Sequence, residues 1–170
     1  VAKEDRKQQI VEVAVSVFAK QGYYKTTTTH IAQAVGVTQP YVFHFFKTKE
    51  ELFIAVLEQS VNRIAGIFKE VEAPAEYLED RMGEAFFNLL KTHRDETLLS
   101  MQAFTTVEPV IRKRVQEGFS YIHKVVKEKF ERAQIPQPGF QASAFIGIGM
   151  ATVVSEVLDL PELLPYCEKD

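Results

Sequence analysis

The sequence predicts an all-α protein: an N-terminal three-helix domain with a helix-turn-helix, joined by one long helix to a larger helical body. Three observations carry this. Apolar residues recur at spacings of three and four along nearly all of the 170 residues, with no alternating strand pattern. The stretch 26–52, TTTTHIAQAVGVTQPYVFHFFKTKEEL, sets two short helical segments on either side of a Gly36-Val37 corner, the layout of a helix-turn-helix DNA reader. From Leu52 to Val71 helical spacing then continues for about five turns with no flexible linker.

Each element has its own signal. Ile10, Val11, Ala14, Val17 and Phe18 line one face of a first helix over about 3–21, with Gly22 as its stop. A second helix starts within Thr26–Thr29, where a hydroxyl can cap free amides, turns Ile31, Ala32 and Val35 inward, and ends at Gly36. Thr38 is the expected cap of a third helix with Pro40 in its first turn; Val42, Phe45 and Phe46 face inward. Thr48-x-x-Glu51 is a capping box that opens the long fourth helix. Beyond Ala73-Pro74, helices are expected over about 75–93, around Leu98–Phe104, from Pro109 to about Phe130, and over about 140–158. The last is apolar on nearly all sides and rich in Gly and Ala. The tail after Pro161, with Leu163, Leu164 and Tyr166, can begin another helix. The domain division expected is 1–50 and 51–170.

Composition narrows the function classes. The chain is 46% hydrophobic and 25% charged, ordinary for a soluble globular protein. Net charge is −3, but residues 1–50 carry seven Lys/Arg against four Asp/Glu, and residues 51–170 thirteen against nineteen. A basic head on an acidic body suits a nucleic-acid reader. The single cysteine, Cys167, allows no internal disulfide and suits a reducing compartment. No secretory signal is expected from the polar start, and the apolar run 142–155 is shorter than the roughly 20 residues a bilayer span needs. No membrane partner is expected.

Enzyme signatures are missing from the pattern. His30, His44, His93 and His123 are scattered, with no H-x-x-x-H spacing, so no metal site and no catalytic residue is assigned. The run Phe145-Ile-Gly147-Ile-Gly149-Met-Ala151-Thr152 fails as a dinucleotide fingerprint because Thr152 stands where glycine is required and no strand precedes it; no cofactor is expected. Close helix packing explains those glycines, and dimerisation is the sharper form of that explanation. The interface expected there is Phe145, Gly147, Ile148, Gly149, Thr152, Val153 and Glu156.

One set of residues is more specific: Gly22-Tyr23, Thr27-Thr28, Ile31-Ala32, Gly36-Val37-Thr38, Phe43-His44-Phe45-Phe46 and Lys47-Thr48-Lys49-Glu50-Glu51-Leu52. This third of the chain resembles the TetR family of bacterial repressors. The resemblance implies a helix-turn-helix at about 27–46, a homodimer, a palindromic double-stranded DNA operator, a small-molecule effector and a cytoplasmic, nucleoid-associated place in a bacterium. It implies that Gln39, Pro40 and Tyr41 face bases, and that Thr27, Thr28, His44, Lys47 and Lys49 hold phosphates. Phe43 stands where family members usually have Tyr, so a phosphate-binding hydroxyl is lost at that DNA-facing position. Pro40 and Tyr41 also depart from the commoner small residues. A ligand cavity is implied among the middle helices, with Phe68, Phe86, Phe87, Phe104, Phe119 and His123 as its expected lining, although each of these aromatics also suits a plain core.

The leading expectation is a sequence-specific transcriptional regulator, a repressor released by a small apolar or aromatic ligand, and not an enzyme. Two others compete: a helical hydrophobic-ligand-binding protein or enzyme without DNA binding, and a module whose helix pair contacts protein. Salt-dependent association with a duplex separates the first from both.

Overall fold

A computed structural model describes residues 3–164; Cys167 and Tyr166 lie outside the described residues. Eight α-helices follow one another: α1 Lys3–Lys25, α2 Thr28–Val35, α3 Gln39–Phe45, α4 Lys49–Glu70, α5 Ala75–Thr92, α6 Arg94–Gln102, α7 Pro109–Arg132 and α8 Pro138–Leu158. Short 3-10 turns span Ala103–Thr105 and Pro161–Leu163. No strand occurs among the described residues, and the all-α expectation holds.

The described residues form two compact units. The first holds the chain up to Val61 together with Asp95–Gly118; the second holds Asn62–Arg94 and the chain from Phe119 onward. Helices α4 and α7 each contribute residues to both. The functional division at residue 50 is a different cut, and it stands as a proposal.

The first unit is built on one continuous core. Ile10, Ala14 and Phe18 of α1 pack with Ile31 and Ala32 of α2, Val42 and Phe46, Leu52, Phe53 and Val56 of α4, and Leu99, Ala103 and Ile111. Phe18 meets Phe53 edge-on at 4.8 Å between ring centroids, and Tyr23 lies 4.9 Å from Phe53. Such aromatic pairs add about 0.5–1.5 kcal/mol each beyond their burial. Gly22 interrupts α1 with φ 74° and ψ 167°, and a final turn continues to Lys25. Thr26 closes that turn by donating from its hydroxyl to the Gly22 carbonyl at 2.8 Å. A Cβ on Gly118 of α7 would sit 2.7 Å from Val61 Cγ2 of α4, so glycine is what permits this helix crossing.

In the second unit, Phe68, Met82, Leu90, Val126, Phe130, Ala142, Phe145 and Val153 are buried. Phe145 stands 5.3 Å from Phe68 and 6.0 Å from Phe130. Two expectations change here. The apolar run 142–155 lies within a helix of 21 residues, which is long and apolar enough to cross a membrane by length and composition; the core helix of a soluble protein passes the same test. Among the described residues of the tail, Pro161–Leu163 form a 3-10 turn, with Leu164 extended after it.

Candidate nucleic-acid interface

Helix α2 begins where a threonine hydroxyl can satisfy an orphan amide. Thr27 is its N-cap: the Thr27 hydroxyl accepts from the His30 amide at 3.2 Å, and His30 Nδ1 accepts from the Thr27 amide at 3.4 Å. Both donors are thus met reciprocally, with an imidazole in the place usually taken by Glu or Gln. The other end needs a left-handed residue. Gly36 supplies it at φ 79° and ψ 32°, and the Val37 amide donates to the Ala32 carbonyl at 2.9 Å. Helix α3 follows after a single bend. Thr38 occupies its N-cap position, but the hydroxyl makes no capping bond, which corrects the expected cap. Pro40 in the first turn costs nothing there, because its missing N–H is one the helix leaves unpaired.

Buried Val42 and Phe46 anchor α3 to the core, while Tyr41 and Phe43 remain 38% and 37% exposed. Tyr41 and His44 both set ring edges against Phe45, at 5.4 and 5.1 Å. Pro40 and His44 are exposed beside them. The half-buried Gln39 is held: its Nε2 donates to the Thr28 hydroxyl at 2.8 Å. Thr28 is 9% exposed, so its oxygen serves Gln39 and not open solvent.

The two lysines after α3 differ. Lys47 is exposed, with its backbone amide donating to Glu51 Oε2 at 2.7 Å; the Glu51 amide in turn donates to the Thr48 hydroxyl at 3.0 Å. The expected capping box is therefore present with its return bond one residue early. Lys49 is half-buried. Its ammonium donates to the Tyr23 carbonyl at 2.8 Å and lies 4.3 Å from the Tyr23 ring centroid. Its first task is to tie the start of α4 to the end of α1. Burial raises the Tyr23 pKa, with the Glu108 and Glu50 carboxylates and Tyr24 adding to the shift.

Sequence reasoning missed the segment that braces this head. The Tyr24 hydroxyl donates to Glu108 Oε2 at 2.9 Å and accepts from the Val107 amide at 3.1 Å, and Gln102 Nε2 donates to the Ala19 carbonyl at 3.1 Å. These bonds span more than eighty residues of sequence, so no local pattern announces them. Lys7, 5.7 Å from the Phe46 ring, adds a cation near the end of α3.

The expected ligand lining is only partly brought together. Phe68 and Phe86 lie 6.2 Å apart in the second unit. Phe119 and His123 are half-buried in that unit, and His123 Nε2 shares a 3.1 Å hydrogen bond with Ser143. Phe87 is exposed under Lys91 at 4.2 Å, and Phe104 belongs to the first unit. The residues of the expected dimer face are likewise split between buried and open positions. Phe145 and Val153 are buried at 7% and 3% exposure, and Gly149 meets the Phe86 ring, so these three face the unit's own interior. Gly147 and Glu156 are exposed; Ile148 and Thr152 are half-buried. The open apolar face carries Phe140, Gly147, Val154 and Leu158, residues four or seven apart that share one side of α8. Among the described residues no group of three or more His, Cys, Asp or Glu is placed to hold a metal.

Residues 10–56 match the bacterial regulatory proteins of the tetR family. An HTH-type transcriptional regulator of Bacillus subtilis, YhgD, is 27% identical over 177 aligned positions, covering 98% of this chain and 90% of its own length. An HTH-type transcriptional repressor of Mycobacterium tuberculosis is 36% identical over 62 residues, 36% of this chain and 33% of that protein. FadR of Bacillus subtilis, solved with stearoyl-CoA, superposes with a TM-score of 0.74 at 20% identity, covering 89% of this chain and 87% of that one; that likeness is one of fold. With the matched residues forming a capped helix-turn-helix, residues 10–56 are a domain of the tetR family of bacterial regulatory proteins, and the chain as a whole is similar to HTH-type transcriptional regulators.

Proposed function

We propose that this regulator is a homodimeric repressor in the bacterial cytoplasm that holds a palindromic operator and releases it when a small apolar ligand binds. The observation that carries the reading is the exposed set on and after α3: Pro40, Tyr41, Phe43, His44 and Lys47, with Gln39 held at the helix start. A seven-residue helix exposing aromatic rings beside donors fits a major groove better than an apolar partner. Gln39 would pair with adenine, Pro40 and Tyr41 would touch base edges, and His44, Lys47 and the remaining ammonium hydrogens of Lys49 would meet phosphates. Thr27 would add a phosphate bond through its hydroxyl hydrogen, since the oxygen is the acceptor in the cap.

Two copies would set two α3 helices about 34–36 Å apart or a multiple of that. The open face of α8 supports the pairing. The rings of Phe68 and Phe86, with Phe119 and His123 in the same unit, support an apolar effector site. An acyl chain is one chemistry such rings accept, and the structurally similar FadR was solved with an acyl-CoA. Helix α4 is the proposed lever, because it runs unbroken from Lys49 to Glu70 and a ligand can shift DNA affinity only by favouring one of two arrangements. The test is a gel shift on a duplex enriched from a randomised library, at two salt concentrations, with and without stearoyl-CoA. Binding that weakens steeply with salt and is released by stearoyl-CoA but not by coenzyme A supports the reading. Salt-independent binding sinks the DNA assignment, and indifference to stearoyl-CoA sinks the acyl-chain effector.

A further inference from the structure

We propose that Thr28 is a positioning residue for base recognition: it fixes the Gln39 carboxamide so that the side chain prefers adenine to guanine. The inference rests on the reading that Gln39 meets a base. Gln39 Nε2 donates to Thr28 Oγ1 at 2.8 Å, across the turn between α2 and α3. Thr28 is nearly buried and β-branched, so its χ1 is stiff and its oxygen is a fixed acceptor. Gln39 has three rotatable side-chain bonds and is half-exposed. A single bond to a rigid oxygen therefore settles in advance much of the rotamer freedom that DNA binding would otherwise remove.

The same bond selects the base. A Gln carboxamide offers two N–H donors and one carbonyl acceptor. With one N–H held by Thr28, one donor and one acceptor remain. Adenine presents in the major groove one acceptor, N7, and one donor, N6–H, which match that pair. Guanine presents two acceptors, O6 and N7, and asks for two donors. Without the Thr28 acceptor both amide hydrogens are available and the discrimination narrows.

The experiment is selection of bound duplexes from a randomised DNA library, read by sequencing, using the full chain as wild type, Thr28→Val, Thr28→Ala, Thr28→Ser and Gln39→Ala. The wild type is expected to enrich a motif with adenine at one position in each half-site. Gln39→Ala should lose that position. Thr28→Val and Thr28→Ala should lower the adenine-over-guanine preference there by roughly two- to tenfold, the worth of one hydrogen bond, and leave other positions and the salt dependence as they were. Thr28→Ser keeps the acceptor and should keep the preference. Thr28→Ala removes the oxygen with no added bulk, so a folding defect peculiar to valine does not hide the answer. Wild-type preference in both variants, at the position Gln39→Ala loses, overturns the proposal. So does a uniform blurring of every position, which marks a merely structural role. A wild type that enriches no motif overturns the DNA reading itself, and this inference with it.

Discussion

Helices α3 and α8 both expose apolar side chains, and the reasons differ. Helix α3 has seven residues and shows Tyr41 and Phe43 beside Gln39, His44 and Lys47. Helix α8 has 21 residues and shows Phe140, Val154, Val157 and Leu158, with Glu156 and Asp159 the charged residues near its end. An apolar patch alone does not name its partner. Donors around the rings of α3 suit a surface of phosphates and base edges, whereas α8 carries no Lys, Arg or His and its open residues suit a second apolar face. The supports differ too. The short helix is held by two buried side chains and by the caps of its neighbour, so its position depends on few contacts. The long one is held along its whole inner side by Ala142, Phe145, Gly149 and Val153.

The largest effects come from breaking the supports of α3. Phe46 is 2% exposed, and Phe46→Ala is expected to cost about 3–5 kcal/mol of unfolding free energy in urea titration. Phe43→Ala, on the exposed side of the same helix, should stay within about 0.5 kcal/mol and yet weaken duplex binding. If both variants lose stability equally, the division of α3 into an anchored side and a reading side fails. Next comes the open face of α8. Val154→Glu would set two carboxylates against each other across the proposed two-fold contact, where like charges cost several kcal/mol, so sedimentation should show monomers with unchanged helix content. A variant that stays dimeric moves the interface off this face.

The same contrast explains what was legible in the sequence. The head could be read residue by residue because its signals are local: Thr27 caps, Gly36 turns, Pro40 opens, and each needs only its neighbours in the chain. Even there a local rule missed the partner's identity. Thr38 sits at a cap position without capping, and Lys49, expected on phosphate, reaches the Tyr23 carbonyl across 26 residues. The body's helices were legible as periods, but not which side of α8 faces out, since that helix is apolar all round and its inner side is chosen by Phe68, Phe86 and Phe130 from distant helices. Gly118 escaped for the same reason: the atom it makes room for, Val61 Cγ2, lies on another helix.

A smaller effect tests the local rule itself. Thr27→Ala removes the acceptor for the His30 amide and should cost about 1 kcal/mol, within a range of roughly 0.5–2. Thr27→Ser should restore it. An equal loss in both would show that the methyl group's packing, and not the cap, holds α2 in place.

The smallest expected effect is a pH dependence that belongs to the head alone. Burial first, then the Glu108 and Glu50 carboxylates and Tyr24, hold the Tyr23 hydroxyl's pKa above its ordinary value. A group whose folded pKa is raised binds its proton more tightly folded than unfolded. Its contribution is therefore complete below the unfolded value of about 10 and is lost as pH rises through the folded one. The informative quantity is the difference from Tyr23→Phe, which keeps the ring against Phe18 and Phe53. Urea midpoints measured from pH 8 upward should fall more steeply above pH 10 in the wild type than in Tyr23→Phe. Parallel curves would mean that the ring's surroundings admit water in solution, and that the junction of α1 with α4 is looser than the bond from Lys49 to the Tyr23 carbonyl implies.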